Sequence, residues 1–110
     1  MSINYNSEYY ISEIVKKINH LYNNHSSNIK EQTEFIFCKS NITKELFNEI
    51  KCNLTKELKN SCSLYKIGIS YLSLIYKLYY VHIEHVIFSE NDEVFKITIL
   101  TDLRKLLELH

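Results

Sequence analysis

Residues 63–100 limit what this chain can become more than any other stretch. Tyr65, Ile67, Ile69 and Tyr71 alternate there with Lys66, Gly68 and Ser70, the two-residue period of a half-buried strand. The alternation resumes in Tyr80-Val81-His82-Ile83-Glu84-His85-Val86-Ile87-Phe88, pauses at Ser89-Glu90-Asn91-Asp92 and returns in Val94-Phe95-Lys96-Ile97-Thr98-Ile99-Leu100. Polar residues between two such runs predict a hairpin. A single strand over residues 64–88 would extend about 80 Å at ~3.3 Å per residue, against a radius of gyration of roughly 13 Å for a domain of this size, so the run must break. The phase changes between Tyr71 and Leu74, which places a bend near Ser73 or Lys77. A short helix through Leu72, Ile75, Tyr76 and Tyr79 competes with that reading, as does an extended segment that leaves its own sheet to pair with another subunit.

The sheet needs cover, and the residues before it supply two amphipathic stripes. Ile11, Ile14, Val15, Ile18, Leu21 and Tyr22 share one face of a helix that starts at Ser7, its expected N-cap, with Glu13 and Lys17 as an i,i+4 pair. Ile42, Leu46, Phe47, Ile50, Leu54 and Leu58 form a second face, capped by Ser40 or Asn41 and about 18 residues long. Between them, residues 28–39 fit a helix through Ile29, Thr33, Ile36 and Phe37, or a short strand or apolar linker at Phe35-Ile36-Phe37. Residues 102–109 read as a two-turn helix or an edge strand. The expected fold is α+β: two amphipathic helices on an antiparallel sheet of three or four strands, open to strand exchange in a dimer. We expect one domain over residues 1–110, with a loose start at 1–6, a helical half at 7–59 and a sheet half at 63–110.

Charge excludes one class of partner. Thirteen basic and thirteen acidic residues cancel, so the chain lacks the positive field of a typical nucleic-acid binder, and no nucleic acid is expected. No membrane span is expected either, because the most apolar stretch, residues 71–81, is interrupted by Ser73 and Lys77 and falls short of the roughly 20 residues required. The first residues carry no basic and apolar leader pattern, which makes the expected location cytoplasmic. Cys38, Cys52 and Cys62 are odd in number and lack a Cys-x-x-Cys spacing, as reduced thiols do.

No catalytic, cofactor or metal signature emerges. His82 and His85 resemble a metal pair, but positions three apart in a strand face opposite sides of the sheet. Glu84 shares a face with His82, and a cross-strand polar contact accounts for it. The single glycine, Gly68, falls inside an expected strand, where glycine marks the close approach of another backbone or a bulky ring, and it excludes a glycine-rich phosphate loop. Nine tyrosines are the most unusual feature, since tyrosine packs in strands but also combines apolar area with a polar hydroxyl at interfaces. The expected partner surface is therefore Tyr65, Ile67, Ile69, Tyr71, Tyr76 and Tyr79, taking a protein or extended peptide at a sheet edge, with residues 70–80 extended and their tyrosines buried against a second chain in a homodimer.

The passage Leu54-Thr55-Lys56-Glu57-Leu58, a short polar break and then Leu64-Tyr65-Lys66-Ile67-Gly68-Ile69 resembles the end of the second helix and the first strand of the Tctex-type dynein light chains. Glu13-Ile14-Val15-Lys16-Lys17 is similar to that family's opening helix. The resemblance implies a non-enzymatic homodimeric adaptor that exchanges a strand and binds an intermediate-chain or cargo peptide in an edge groove, with residues 65–71 as its interface. The alternatives are a small enzyme that uses cysteine and histidine from separate elements, or an α+β binding protein unrelated to dynein.

Overall fold

A computed structural model describes residues 6–24, 31–76 and 79–101. The order of elements is α1 (Ser7–Asn23), β1 (Glu31–Phe37), α2 (Lys44–Glu57), β2 (Cys62–Ile67), β3 (Tyr71–Tyr76), β4 (Tyr79–Ser89) and β5 (Asp92–Leu100). The fold is α+β. Its sheet has five antiparallel strands in the order β1-β5-β4-β3-β2, rather than three or four. The added strand is β1, which runs from Glu31 through the Phe35-Ile36-Phe37 triplet and pairs along β5 from Glu31↔Leu100 to Phe37↔Val94. It therefore lies inside the expected helical half and separates the two helices.

Both helices form on the expected stripes with shifted starts. Asn6, not Ser7, caps α1 by accepting the Tyr9 N–H, while Ser7 is buried in the first turn. Glu13 pairs with Lys16 at 3.5 Å, and Lys17 reaches instead to Glu34 of β1 at 3.8 Å. Thr43, rather than Ser40 or Asn41, caps α2 through the Leu46 N–H, which shortens the helix to 14 residues. Tyr10, Ile14, Ile18, Phe47, Ile50 and Leu54 then pack on the sheet face that carries Ile36, Leu72, Leu74, Val81, Ile83, Phe95, Ile97 and Ile99.

The long β run breaks at Gly68-Ile69-Ser70, where the Gly68 N–H bonds to the Tyr71 carbonyl at 2.9 Å. Tyr71 accordingly opens β3 and does not belong to the first strand with Tyr65 and Ile67. Ser73 is no bend: it is fully buried in the middle of β3 because Tyr80 and His82 satisfy its hydroxyl. The other expected break, Lys77, lies outside the described residues, between the paired Tyr76 and Tyr79. The hairpin at Glu90-Asn91 forms as the polar pause predicts, closing on Ser89↔Asp92. Residues 102–109 also lie outside the described residues.

Candidate functional site

Sheet order leaves two edges, β1 and β2, and they are built differently. Along β2 every residue from 63 to 67 is exposed, and Leu64 (52%), Ile67 (50%) and, just past the strand, Ile69 (80%) show large apolar side chains to water. The expected half-buried alternation fails here because, among the described residues, β2 has a neighbouring strand on one side only and a bulge at Tyr65 shifts its register between Leu64 and Lys66. Leu64↔Leu74 and Ile67↔Leu72 keep Leu64 and Ile67 on the helix-covered face. Lys66↔Ser73 places Lys66 on the outer face, where the Tyr65 ring also meets Tyr80 edge-on at 6.0 Å.

Between β2 and α2 runs an open groove of about 460 Å³ whose floor is Leu64 and Ile67 and whose wall is Asn48, Lys51, Thr55 and Lys56. Lys51 fixes its end. The side chain is almost wholly buried, its ammonium donates to the carbonyls of Gly68 (2.6 Å) and Ile69 (3.2 Å), and it sits 4.7 Å from the centroid of the Phe47 ring. Burial lowers its pKa from the ordinary lysine value. The turn between β2 and β3 is thereby tied to the helix that forms the other wall. A larger groove of about 670 Å³ between α1 and α2 is lined by charges of both signs, Glu8, Lys16, Lys56 and Glu57 among them.

The expected partner residues separate into two groups. Tyr65, Ile67 and Ile69 stand at the β2 edge, and Tyr71 begins the next strand with its ring 5.3 Å from that of His82. Tyr76 and Tyr79 are half-buried at the far end of β3 and β4, where both rings pack edge-on against Tyr22 of α1, at 5.1 and 5.2 Å. Part of the aromatic surface expected to lie against a second subunit therefore packs on the chain's own helix.

Two polar clusters escaped the sequence reading in part. On the outer face, Ser73 Oγ lies 2.8 Å from His82 Nδ1 and 2.8 Å from Tyr80 Oη, and His82 Nε2 lies 3.7 Å from Glu84. These are the residue types of a serine nucleophile relay, yet Ser73 and Tyr80 are both fully buried, so no substrate reaches the hydroxyl. Burial pushes the Tyr80 phenol up, against the hydrogen bond from Ser73. On the helix face, His85 Nε2 lies 2.8 Å from Glu93 Oε1, and the same carboxylate oxygen accepts the Ile42 N–H at 3.0 Å. His82 and His85 do face opposite sides, and among the described residues no three His, Cys, Asp or Glu side chains gather to hold a metal ion. Among them, too, no helix is long and apolar enough to cross a membrane.

The thiols are free, and two of them are poor nucleophiles. Burial pushes Cys38 up to about 12, with Glu93 adding to the shift, and burial also pushes Cys62 up. A cysteine nucleophile needs the opposite. Because the unfolded chain releases the Cys38 proton near its ordinary 9.0 while the fold retains it, the associated stability is fully present below pH 9 and is lost as pH rises toward 12. The urea midpoint of the native protein is expected to fall more steeply above pH 9 than that of Cys38→Val. Lys51, with its lowered pKa, contributes the opposite slope in both proteins and cancels from the comparison. Equal slopes would refute the assignment. No family model, curated protein or solved structure matches the chain.

Proposed function

We propose that the chain is a non-catalytic interaction module that takes an extended peptide as an additional strand along β2. The observation that carries this reading is an edge strand exposed from residue 63 to 67 and backed by an apolar-floored groove. An edge of this kind offers unpaired backbone groups for affinity and a side-chain groove for selection. The six residues of β2 span about 20 Å at ~3.3 Å per residue, enough to engage some six residues of a ligand. This keeps the mode of binding implied by the light-chain resemblance and takes nothing from it about a motor. Support for a non-catalytic role comes from the raised Cys38 and Cys62 thiols and the buried Ser73 hydroxyl. The expected strand-exchanged homodimer would have to form around Tyr76 and Tyr79 rings that also pack edge-on against Tyr22 of the same chain.

Peptides selected from a displayed library on the folded protein should slow hydrogen exchange at the amides of β2 and of the facing side of α2. Ile67→Asp should weaken them at least ~10-fold, or about 1.4 kcal/mol, while leaving the thermal midpoint almost unchanged because Ile67 is half exposed. Protection confined to β1 or to the groove between the helices would refute the site.

A further inference from the structure

We infer that the β2 edge selects an acidic peptide, one that alternates apolar residues with carboxylates, and that Lys66 reads the carboxylates. The inference rests on the strand-addition reading and adds to it the chemistry of the ligand.

The alternation follows from the two faces of an added strand. Its side chains point in turn toward the helices and away from them. Those on the helix side fall on Leu64 and Ile67, an apolar floor. Those on the other side come beside Lys66, which the Lys66↔Ser73 register holds on the outer face.

The sign follows from the charges around the edge. The α2 wall of the groove carries Lys51 and Lys56 and no carboxylate, and β2 adds the exposed Lys66. Among the described residues, none of these three lysines forms an ion pair. The buried Lys51 ammonium is taken up by the Gly68 and Ile69 carbonyls and the Phe47 ring, which leaves Lys66 as the exposed cation on β2 itself. The opposite edge differs in composition: β1 carries Glu31 and Glu34 and no basic residue, and Glu34 is met by Lys17 and His20 of α1.

Lys66 and the Tyr65 bulge also explain why β2 would not pair with any strand that passes. A lysine on an edge and a bulge are two of the devices that blunt edge-to-edge pairing, because a neutral or basic incoming strand must desolvate the ammonium without compensation. A carboxylate at that position removes the penalty. Selectivity then comes from rejecting other strands as well as from attracting the right one.

The test uses three short acetylated and amidated peptides that alternate valine with glutamate, glutamine or lysine, titrated into the full chain by fluorescence anisotropy. The glutamate peptide should bind about 3-fold tighter than the glutamine peptide at low salt, a gap that high salt closes, as expected of one partly exposed ion pair. Lys66→Glu should reverse the order of the glutamate and lysine peptides, and Lys66→Met should make glutamate and glutamine nearly equal. Thermal unfolding of both variants checks that an exposed substitution leaves the fold intact. If glutamate and glutamine peptides bind the native protein equally, acidic selection is overturned and strand addition stands. If none of the three binds, both fall. If the protein without peptide self-associates and Leu64→Asp makes it monomeric, the occupant is a second copy of the chain and the acidic-peptide assignment is overturned.

Discussion

Replacing Glu93 with alanine is expected to destabilise the fold by about 2–4 kcal/mol, as when two buried hydrogen-bonding groups lose their shared partner. Glu93 sits on β5 with its side chain 8% exposed, and the ring of His85 is nearly as deeply enclosed at 10%. Phe47 and Phe95 flank that ring at 5.5 and 5.6 Å. The carboxylate oxygen that meets His85 also holds the Ile42 N–H, just before the Thr43 cap of α2, so alanine strands a second buried donor as well as the histidine. Glu93→Gln separates these contributions. Its amide oxygen can still accept from Ile42, which reduces the expected loss to about 1–2 kcal/mol. Urea unfolding at neutral pH measures both, and a loss below ~1 kcal/mol for Glu93→Ala would show that the pair does not hold the start of α2 to the sheet.

That pair also marks where reading the sequence reached its limit. The helices were legible because their apolar residues recur on one face, and the β4-β5 hairpin because a polar pause separates two alternating runs. The His85–Glu93 contact is a diagonal one across that hairpin: Ile87↔Glu93 and His85↔Phe95 are the direct partners, and His85 and Glu93 stand two positions apart on one face. The turn alone would not have exposed it, because the register shifts by one residue between Ile87 and Ser89, and extending Ser89↔Asp92 would set His85 opposite Lys96 with Glu93 on the other face. Ser73 misled for a different reason. Serine reads as a breaker when its hydroxyl competes for the backbone, but in β3 it turns to Tyr80 and His82, partners that only the Ser73↔His82 pairing reveals. For β1 the signal was short, with only Ile36 buried among its seven residues, so its place beside β5 comes from the far end of the chain.

The candidate edge was legible as composition and not as geometry. Tyr65, Ile67 and Ile69 announce a strand, but the same alternation serves a strand buried on one face and one that is bare. Only the position of β2 at the end of the sheet distinguishes them. The groove behind it depends on α2 lying over β2, a relation carried by Lys51, whose burial on the core side of an otherwise polar helix turn gave no separate signal in the sequence.

Gly68→Ala is expected to cost about 1–3 kcal/mol, as overpacking does, through a clash rather than through loss of backbone freedom. A Cβ built on Gly68 would lie 2.6 Å from Tyr71 Cζ and 2.7 Å from Tyr71 Cδ1, and nearer still to Cε1, so the glycine is demanded by the close approach of a ring. Neither side yields easily. The Gly68 N–H is bonded to the Tyr71 carbonyl and the Gly68 carbonyl to Lys51, while the Tyr71 ring lies against His82, itself held by Ser73 and Tyr80. Tyr71→Ala opens the space, so the double substitution should cost less than the sum of the single ones by about 1 kcal/mol, a coupling that a double-mutant cycle in urea detects. Additive losses would mean that the turn shifts as a whole and that the ring is not the obstacle. The effect on binding follows from the same geometry: Gly68 joins β2 to the Lys51 anchor, so Gly68→Ala should weaken peptide capture at β2 even where the fold persists, and Gly68→Ala with Tyr71→Ala should restore part of it. Binding that stays at the native level in a destabilised Gly68→Ala protein would separate the turn from the groove and leave Lys51 a purely structural role.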